Sequence, residues 1–179
     1  MEKQWNLIEV LRHSRHDWLN KLQIIKGNLD LNRIERTKEV INEIIIEAQH
    51  ETNLSNLHIP CFAEVLLKTN WETHSFLLDY EVLQDTEVAK INDVMITDWT
   101  TSFFSCLDQA IETFHENHLS ITIKLEPEGF RFFFDFSGII RSKELIEKFL
   151  KEPNSVELGL VTKEFTESEL AFEVFMPKL

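Results

Sequence analysis

Residues 8–29 read IEVLRHSRHDWLNKLQIIKGNL, and this stretch decides the first part of the fold. It contains no proline, and its apolar residues recur at alternating intervals of three and four positions. This spacing is typical of one strip of a coiled coil, and it predicts a single helix over residues 2–31. We call the strip the seam. Its members are Ile8, Leu11, Arg15, Trp18, Leu22, Ile25 and Leu29.

A second line of residues on the same helix is polar or lacks a side chain. We call this line the ridge, and its members are Glu9, His13, His16, Asn20, Gln23 and Gly27. Residues three or four positions apart share a helix face, so we expect the ridge to face solvent. His16 is then an exposed imidazole one turn before the amide of Asn20. The cations that flank it are Arg12, Arg15 and Lys21.

Three interpretations of the ridge remain open from the residues alone. It is a solvated helix face, or a metal site formed by His13, His16 and Asp17, or the site of a nucleophilic histidine. Two histidines three positions apart without a third convergent ligand are a weak metal pattern. For phosphoryl transfer, neutral imidazole is abundant near pH 7 and nearby cations steady the phosphate.

A second amphipathic helix is predicted over residues 35–57, with its apolar residues towards the core. A short connection at residues 30–33 makes the two helices an antiparallel hairpin. A hairpin of two helices cannot cover its own apolar strip, so we expect a homodimer in which two hairpins form a four-helix bundle. The core-facing residues of the second helix are Val40, Ile41, Ile44, Ile45 and Ala48.

A domain boundary is predicted at His58-Ile59-Pro60, because proline disfavours helix just before it. The predicted domains are therefore residues 1–58 and 59–179. The second has the pattern of an α+β domain, with helices on one face of a mixed sheet. Its predicted helices are 61–70, 93–116 and 142–151, and its predicted strands are 75–82, 119–125, 130–136 and 171–177.

The net charge of −13 is distributed unevenly along the chain. Residues 1–58 carry eight Lys and Arg against nine Asp and Glu, whereas the other 121 residues carry ten against twenty-two. An acidic body of this kind argues against nucleic-acid binding. No apolar run is long enough for a membrane span, and no signal peptide is recognised, so we expect a cytoplasmic protein without membrane contact. Cys61 and Cys106 are expected to be buried thiols.

The string from His16 to Gly27, HDWLNKLQIIKG, resembles the phospho-acceptor box of two-component sensor histidine kinases. Extended through Ser14-Arg15 and Asn28-Leu29, it is similar to the narrower form found in phosphotransferases that initiate sporulation in bacilli. The resemblance covers the whole chain and favours the phosphoryl-transfer interpretation of the ridge. It implies a helical hairpin followed by an α/β sandwich domain like a degenerate ATP-binding domain of a histidine kinase.

The nucleotide-binding chemistry of such kinases is reduced in the second domain. Gln109 stands where the resemblance places the magnesium-binding asparagine, and Ser137 replaces a glycine two positions after Asp135. Glu157-Leu158-Gly159 looks like a remnant of a glycine-rich loop, with an acidic residue where phosphate should approach. Such loops cradle phosphates with backbone N–H groups. We therefore expect negligible ATP binding, no autophosphorylation and no cofactor bound by this chain.

The resemblance implies that the phosphate comes from the aspartyl phosphate of one response regulator, which brings its own Mg²⁺. His16 accepts it and passes it to a second regulator, a transcription factor. Asn20, Arg15 and Asp17 are the expected helpers, although Arg15 and Asp17 also have structural interpretations. The expected partner-binding residues are Arg12, Leu19, Lys21 and Gln23.

Two other functions remain open at this point. The same bundle could bind a regulator without turnover, as an adaptor or as an inhibitor of a sensor kinase. A kinase with a divergent nucleotide site is the third possibility.

Overall fold

A computed structural model of the chain describes residues 5–83, 90–152 and 158–179. It divides into two compact units, Met1–Gln49 and His50–Leu179. This division concerns packing alone, and the predicted domain boundary after residue 58 stays a prediction. The elements are α1 (Leu7–Asp30), α2 (Ile34–Ser55), α3 (Pro60–Thr69), β1 (Leu77–Leu83), α4 (Asp93–Ala110), β2 (His118–Glu126), β3 (Gly129–Ser137), α5 (Lys143–Leu150), β4 (Val161–Phe165) and β5 (Glu169–Pro177).

The first helix begins later than the sequence predicts. Asn6 has extended backbone, and its side chain accepts hydrogen bonds from the backbone N–H groups of Ile8 and Glu9. These bonds satisfy two of the free N–H groups at the start of α1, so the helix begins at Leu7 and not at residue 2. Of the predicted residues before it, 2–4 lie outside the described part of the chain.

The two long helices form the predicted hairpin. Only residues 31–33 connect them, and Asn32 adopts a left-handed conformation (φ 53°) that turns the chain. Lys21 Nζ lies 2.7 Å from Glu47 Oε2, which joins α1 to α2 well away from the turn. Val40 is buried, but α1 contains no buried residue. Ile41 and Ile45, which were expected to face the core, are exposed within this single chain.

The second unit is built on a five-stranded mixed sheet of order β1-β2-β3-β5-β4. β1 runs parallel to β2, and the other neighbouring pairs are antiparallel. Side chains alternate between the two faces of each strand, and the face towards the helices carries most of the buried aromatic residues. Those of β3 are Phe130, Phe132, Phe134 and Phe136.

The helices pack on one face of this sheet through aromatic contacts. From α4, Trp99 lies edge-on against Phe134 with ring centroids 5.5 Å apart, and Phe103 lies edge-on against Phe172 at 5.1 Å. Such pairs add about 0.5–1.5 kcal/mol each beyond the apolar area that they bury. α3 makes a similar contact with the sheet. The predicted α+β fold of hairpin and mixed sheet is therefore confirmed.

Three predictions for the second unit are wrong. α4 ends at Ala110 and not at residue 116, because Ile111 turns extended and pairs with Ile140. β4 was not predicted. Cys61 is exposed rather than buried, since it lies in the first turn of α3 and its backbone N–H is held by Asp93 Oδ2 at 2.8 Å. The hydrogen bond and charge of Asp93 raise the pKa of this thiol.

Side chains cover parts of the outer edge of β1. Asn70 donates from its amide nitrogen to Leu78 O at 2.7 Å and accepts from Leu78 N at 2.9 Å. Further along the edge, Val82 N donates to His50 Nδ1 at 3.3 Å. The amide of Asn70 thus makes the two hydrogen bonds that a neighbouring strand would make at this residue.

Candidate functional site

The ridge lies on an open part of α1. His16, Asn20, Gln23 and Gly27 are exposed, and His13 and Glu9 are half-buried. The half-buried residues Asp17, Lys21 and Ile25 lie on a different face of the helix. The ridge therefore presents His16 from a regular helix with 72% of its side chain exposed.

The imidazole of His16 has two polar neighbours, and both lie at Nδ1. The amide nitrogen of Asn20 is 3.2 Å from Nδ1, one helical turn on, and Asp17 Oδ1 is 3.6 Å from the same atom. The Asn20 contact is within hydrogen-bonding distance, whereas the Asp17 contact is a longer electrostatic one. Nε2 is the distal ring nitrogen and faces away from both groups. This arrangement fixes the ring while leaving Nε2 accessible to an incoming electrophile.

Lys21 is engaged within the hairpin. Its ammonium group contacts Glu47 and lies 5.6 Å from the centre of the Trp18 ring. Arg12, Arg15 and Leu19 are exposed and lie within one turn of His16 along α1. Helix geometry thus brings together His16, Asn20, Arg12 and Leu19, whereas the charge of Lys21 is already partly neutralised by α2.

The seam is uncovered in the single chain. Leu11 and Trp18 are each 50% exposed, and Leu22 is 55% exposed. Arg15 lies among these apolar residues. An exposed apolar strip of this length along a two-helix hairpin is a typical interaction surface.

Gln109 and Asp135, two of the residues expected at a remnant nucleotide site, lie on opposite faces of the sheet. Gln109 Nε2 donates to Ser105 O within α4 at 3.1 Å, and the side chain borders a cavity of about 440 Å³ between α4 and α5. Asp135 is exposed on the face of β3 opposite to Phe134 and Phe136. Ser137 ends β3 and is exposed, and Glu157 lies outside the described residues.

No metal site is found on the ridge. In the described residues, no group of three His, Cys, Asp or Glu side chains is placed to hold a metal ion. The metal-binding interpretation of His13, His16 and Asp17 is therefore not supported. Within the same ranges, no helix is long and apolar enough to cross a membrane.

Sequence reasoning missed one contact at the site. The rings of Trp5 and His13 meet edge to face with centroids 5.1 Å apart. Trp5 precedes α1, so helical periodicity does not place it beside a residue eight positions later. The one signal for this contact is weak, a tryptophan immediately before a capping asparagine.

Comparisons with known proteins cover the chain in two parts. A family model described as sensor kinase SpoOB-type, alpha-helical domain, matches residues 1–57. A model described as sporulation initiation phospho-transferase B, C-terminal, matches residues 58–177. Sporulation initiation phosphotransferase B of Bacillus subtilis is 35% identical over 170 residues, which are 94% of this chain and 88% of that relative.

Solved structures show weaker likenesses. The histidine kinase AdeS of Acinetobacter baumannii is 10% identical with a TM-score of 0.47, over 91% of this chain and 98% of that one. The catalytic domain of the histidine kinase ThkA is 16% identical with a TM-score of 0.46, over 70% and 92%. Because neither TM-score reaches 0.5, only the sequence matches bear on which family includes this chain.

Proposed function

The chain belongs to the sporulation initiation phosphotransferase B family, and on that premise we propose that it relays a phosphoryl group through His16. The donor is the aspartyl phosphate of one response regulator, and the acceptor is the aspartate of a second one that acts as a transcription factor. The observation that carries this proposal is the placement of His16, an exposed imidazole whose Nδ1 is held and whose Nε2 is open.

Nε2 is the nitrogen that attacks phosphorus. For this, Nδ1 must carry the ring proton and Nε2 the free electron pair. The oxygen and nitrogen of the Asn20 amide can exchange places by rotation, which turns the oxygen towards Nδ1. In that orientation the oxygen accepts a hydrogen bond from Nδ1–H at the same distance. The Asp17 carboxylate also favours the tautomer with the proton on Nδ1. Asn20 and Asp17 thereby orient the ring and stabilise the positive charge that it gains.

The transfer step needs no proton exchange with the protein. The Nε2 electron pair forms the N–P bond in line with the breaking P–O bond, and the electron pair of that bond leaves on the donor's aspartate. The phosphorylated ring is then cationic with Nδ1–H retained. Attack by the second regulator's carboxylate on the phosphorylated ring reverses the step. Catalysis in both directions rests on positioning and charge stabilisation. The regulator brings the Mg²⁺ that neutralises phosphate charge, and no metal or cofactor is assigned to this chain.

Docking uses the surface around His16. Arg12 lies one turn before His16 and is exposed, so it suits the acidic pocket of a regulator. Leu19 and Gln23 extend this surface in the other direction. Lys21 contributes less than the sequence predicts, because Glu47 is its partner in the hairpin.

The functional unit is a homodimer formed through the seam. Covering Leu11, Trp18 and Leu22 with the same residues of a second hairpin converts two open hairpins into a four-helix bundle. The ridge faces away from the seam, so dimerisation leaves His16 accessible. Each fully buried apolar side chain contributes roughly 1.5–3 kcal/mol to such an association.

The second unit does not use ATP in this proposal. Support comes from Gln109, whose side-chain amide donates a hydrogen bond within its own helix, and from Asp135, which lies on the other face of the sheet. The proposed role of the second unit is to support the dimer and to contact partner proteins.

The test incubates the protein with a response regulator that carries labelled aspartyl phosphate, and separately with labelled ATP. Label should reach the wild type and leave for a second regulator, and His16→Ala should remain unlabelled. The matched control is His115→Ala, an exposed histidine of the second unit that should accept label like the wild type. Label from ATP would make the protein a kinase, and binding without label would make it an adaptor.

A further inference from the structure

His13 is the second histidine of the ridge, and the proposed reaction has not used it. It lies three positions before His16, which places the two Cβ atoms about 5–6 Å apart. His16 is exposed and His13 is half-buried. Two imidazoles in one exposed helical strip are thus close enough for a phosphoryl group on one to reach the other.

Trp5, which precedes α1, contacts His13 from the N-terminal side of the helix. The Trp5 ring meets the imidazole at an interplanar angle of 61°. Trp5 immediately precedes Asn6, whose side chain caps α1 by accepting from Ile8 N at 3.0 Å and from Glu9 N at 3.1 Å. An aromatic edge against the ring restricts the rotamers of His13, so the imidazole is positioned before any partner arrives.

The turn before His16 lies within reach of a group carried on its ring. Asn20 occupies the C-terminal side of the ring at Nδ1. Helix side chains tilt towards the N-terminus, so residues of the preceding turn can reach a phosphoryl group on Nε2. That turn carries the exposed guanidinium of Arg12 and the half-buried imidazole of His13.

We propose, on the basis of the relay through His16, that His13 is a further catalytic residue and Trp5 its positioning residue. A ring N–H of His13 donates a hydrogen bond to a phosphoryl oxygen while the N–P bond of His16 forms and the P–O bond of the donor breaks. His13 keeps its proton throughout. This hydrogen bond stabilises part of the negative charge that spreads over the phosphoryl oxygens in a loose transition state.

The experiment treats the full-length protein with potassium phosphoramidate, a small phosphoryl donor, and follows ³¹P NMR. The signal absent from His16→Ala is assigned to phosphorylated His16. Its initial rate of formation should fall about tenfold in His13→Ala, the factor expected from one charge-assisted hydrogen bond at an exposed site. His13→Gln retains a donor and should recover most of the rate, and Trp5→Leu should fall between the two.

A second readout separates catalysis from support of the helix. The ³¹P chemical shift of phosphorylated His16 follows protonation of the phosphoryl group. Removal of a hydrogen-bond donor to the charged phosphoryl form should move the midpoint of this titration to higher pH in His13→Ala. His115→Ala should leave the rate and the midpoint unchanged. Equal rates and midpoints in wild type and His13→Ala would overturn the inference, and so would a His13→Gln variant as slow as His13→Ala. Absence of any His16-dependent signal in the wild type would instead contradict the relay itself, and the inference with it.

Discussion

At the scale of single residues, His16 is distinguished by its neighbours and not by its exposure. The chain has seven histidines, and His58, His115 and His118 are exposed as well. His16 alone among these four has the amide of an asparagine one turn away at Nδ1. The spacing of four positions on a helix made this contact predictable from the sequence. The Lys21–Glu47 contact was not predictable, because it joins two helices.

Asn20→Ala should slow phosphorylation of His16 by a labelled regulator about tenfold, because Nδ1 loses the group that fixes its tautomer. Asn20→Asp keeps an oxygen for the Nδ1 proton and should recover much of the rate. Single-turnover transfer measures the effect. Asn28→Ala is the matched control, because the side-chain amide of Asn28 donates a hydrogen bond to Ile24 O at 2.9 Å farther along the same helix. Equal slowing in both variants would point to damage to α1.

At the scale of elements, α3 depends on a cap supplied from outside it. Its N-cap residue Ile59 makes no side-chain cap bond. Instead, Asp93 in the first turn of α4 accepts from Cys61 N at 2.8 Å and from Phe62 N at 2.9 Å. One carboxylate thus satisfies two free N–H groups and joins the starts of two helices.

Asp93→Ala should lower the free energy of unfolding of the second unit by about 1–2 kcal/mol, as loss of a helix cap does. Urea denaturation followed by circular dichroism measures the change. Asp98→Ala removes an exposed carboxylate one turn along α4 and should change stability by less than about 0.5 kcal/mol. Equal losses in the two variants would show that charge, rather than capping, is responsible.

The seam determines how hairpins associate in our proposal. Leu22→Asp places a carboxylate in the centre of the apolar strip and should convert the homodimer to a monomer, because burial of an unpaired charge is strongly unfavourable. Light scattering at micromolar concentration checks this. Gln23→Asp, one position along on the exposed ridge, should remain dimeric. A wild-type protein that scatters as a monomer would refute the dimer.

Local periodicity explains which elements the sequence predicted. The strict alternation in β2 and the three-four spacing in α1 are properties of neighbouring residues. Both elements were therefore predicted, although α1 begins at Leu7 and not at residue 2. The end of α4 depends on distant residues, because buried Asn117 donates to Glu112 O and Ser75 O and accepts from Ile139 N. β4 has only five residues, most of them exposed, and its pairing with β5 is irregular, so it shows no alternation.

At the scale of the whole molecule, charge separates the hairpin from the acidic remainder. The segment 1–58 is close to neutral, whereas the other 121 residues supply nearly all of the net −13. In the proposed homodimer, like charge disfavours contact between the acidic parts of the two copies, and the nearly neutral hairpins meet with the least repulsion. Higher salt should favour the dimer modestly, since it screens this repulsion.

One half-buried pair makes the stability of the second unit depend on pH. His74 Nδ1 lies 2.6 Å from Asp108 Oδ2, and this hydrogen bond raises the pKa of His74, although burial partly opposes it. A raised pKa means that the folded state holds the proton more tightly. The contribution of the pair to the free energy of unfolding is therefore complete below about pH 6.5, the pKa of a histidine in the unfolded chain. It is lost as the pH rises through the higher pKa of His74 in the folded state.

The urea midpoint of the wild type should accordingly fall between pH 6 and pH 8 by more than that of His74→Gln. His118→Gln, which alters an exposed histidine at the start of β2, should retain the pH dependence of the wild type. A His74→Gln variant with the same pH dependence as the wild type would assign the effect to another group.

The covered edge of β1 has a consequence for the protein in a crowded cell. Unprotected sheet edges template the addition of strands from other molecules, which leads to fibres. Because Asn70 and His50 occupy hydrogen-bonding groups of this edge, the second unit resists polymerisation from that side. Contact between copies through this edge of the sheet is therefore disfavoured even where the protein is concentrated.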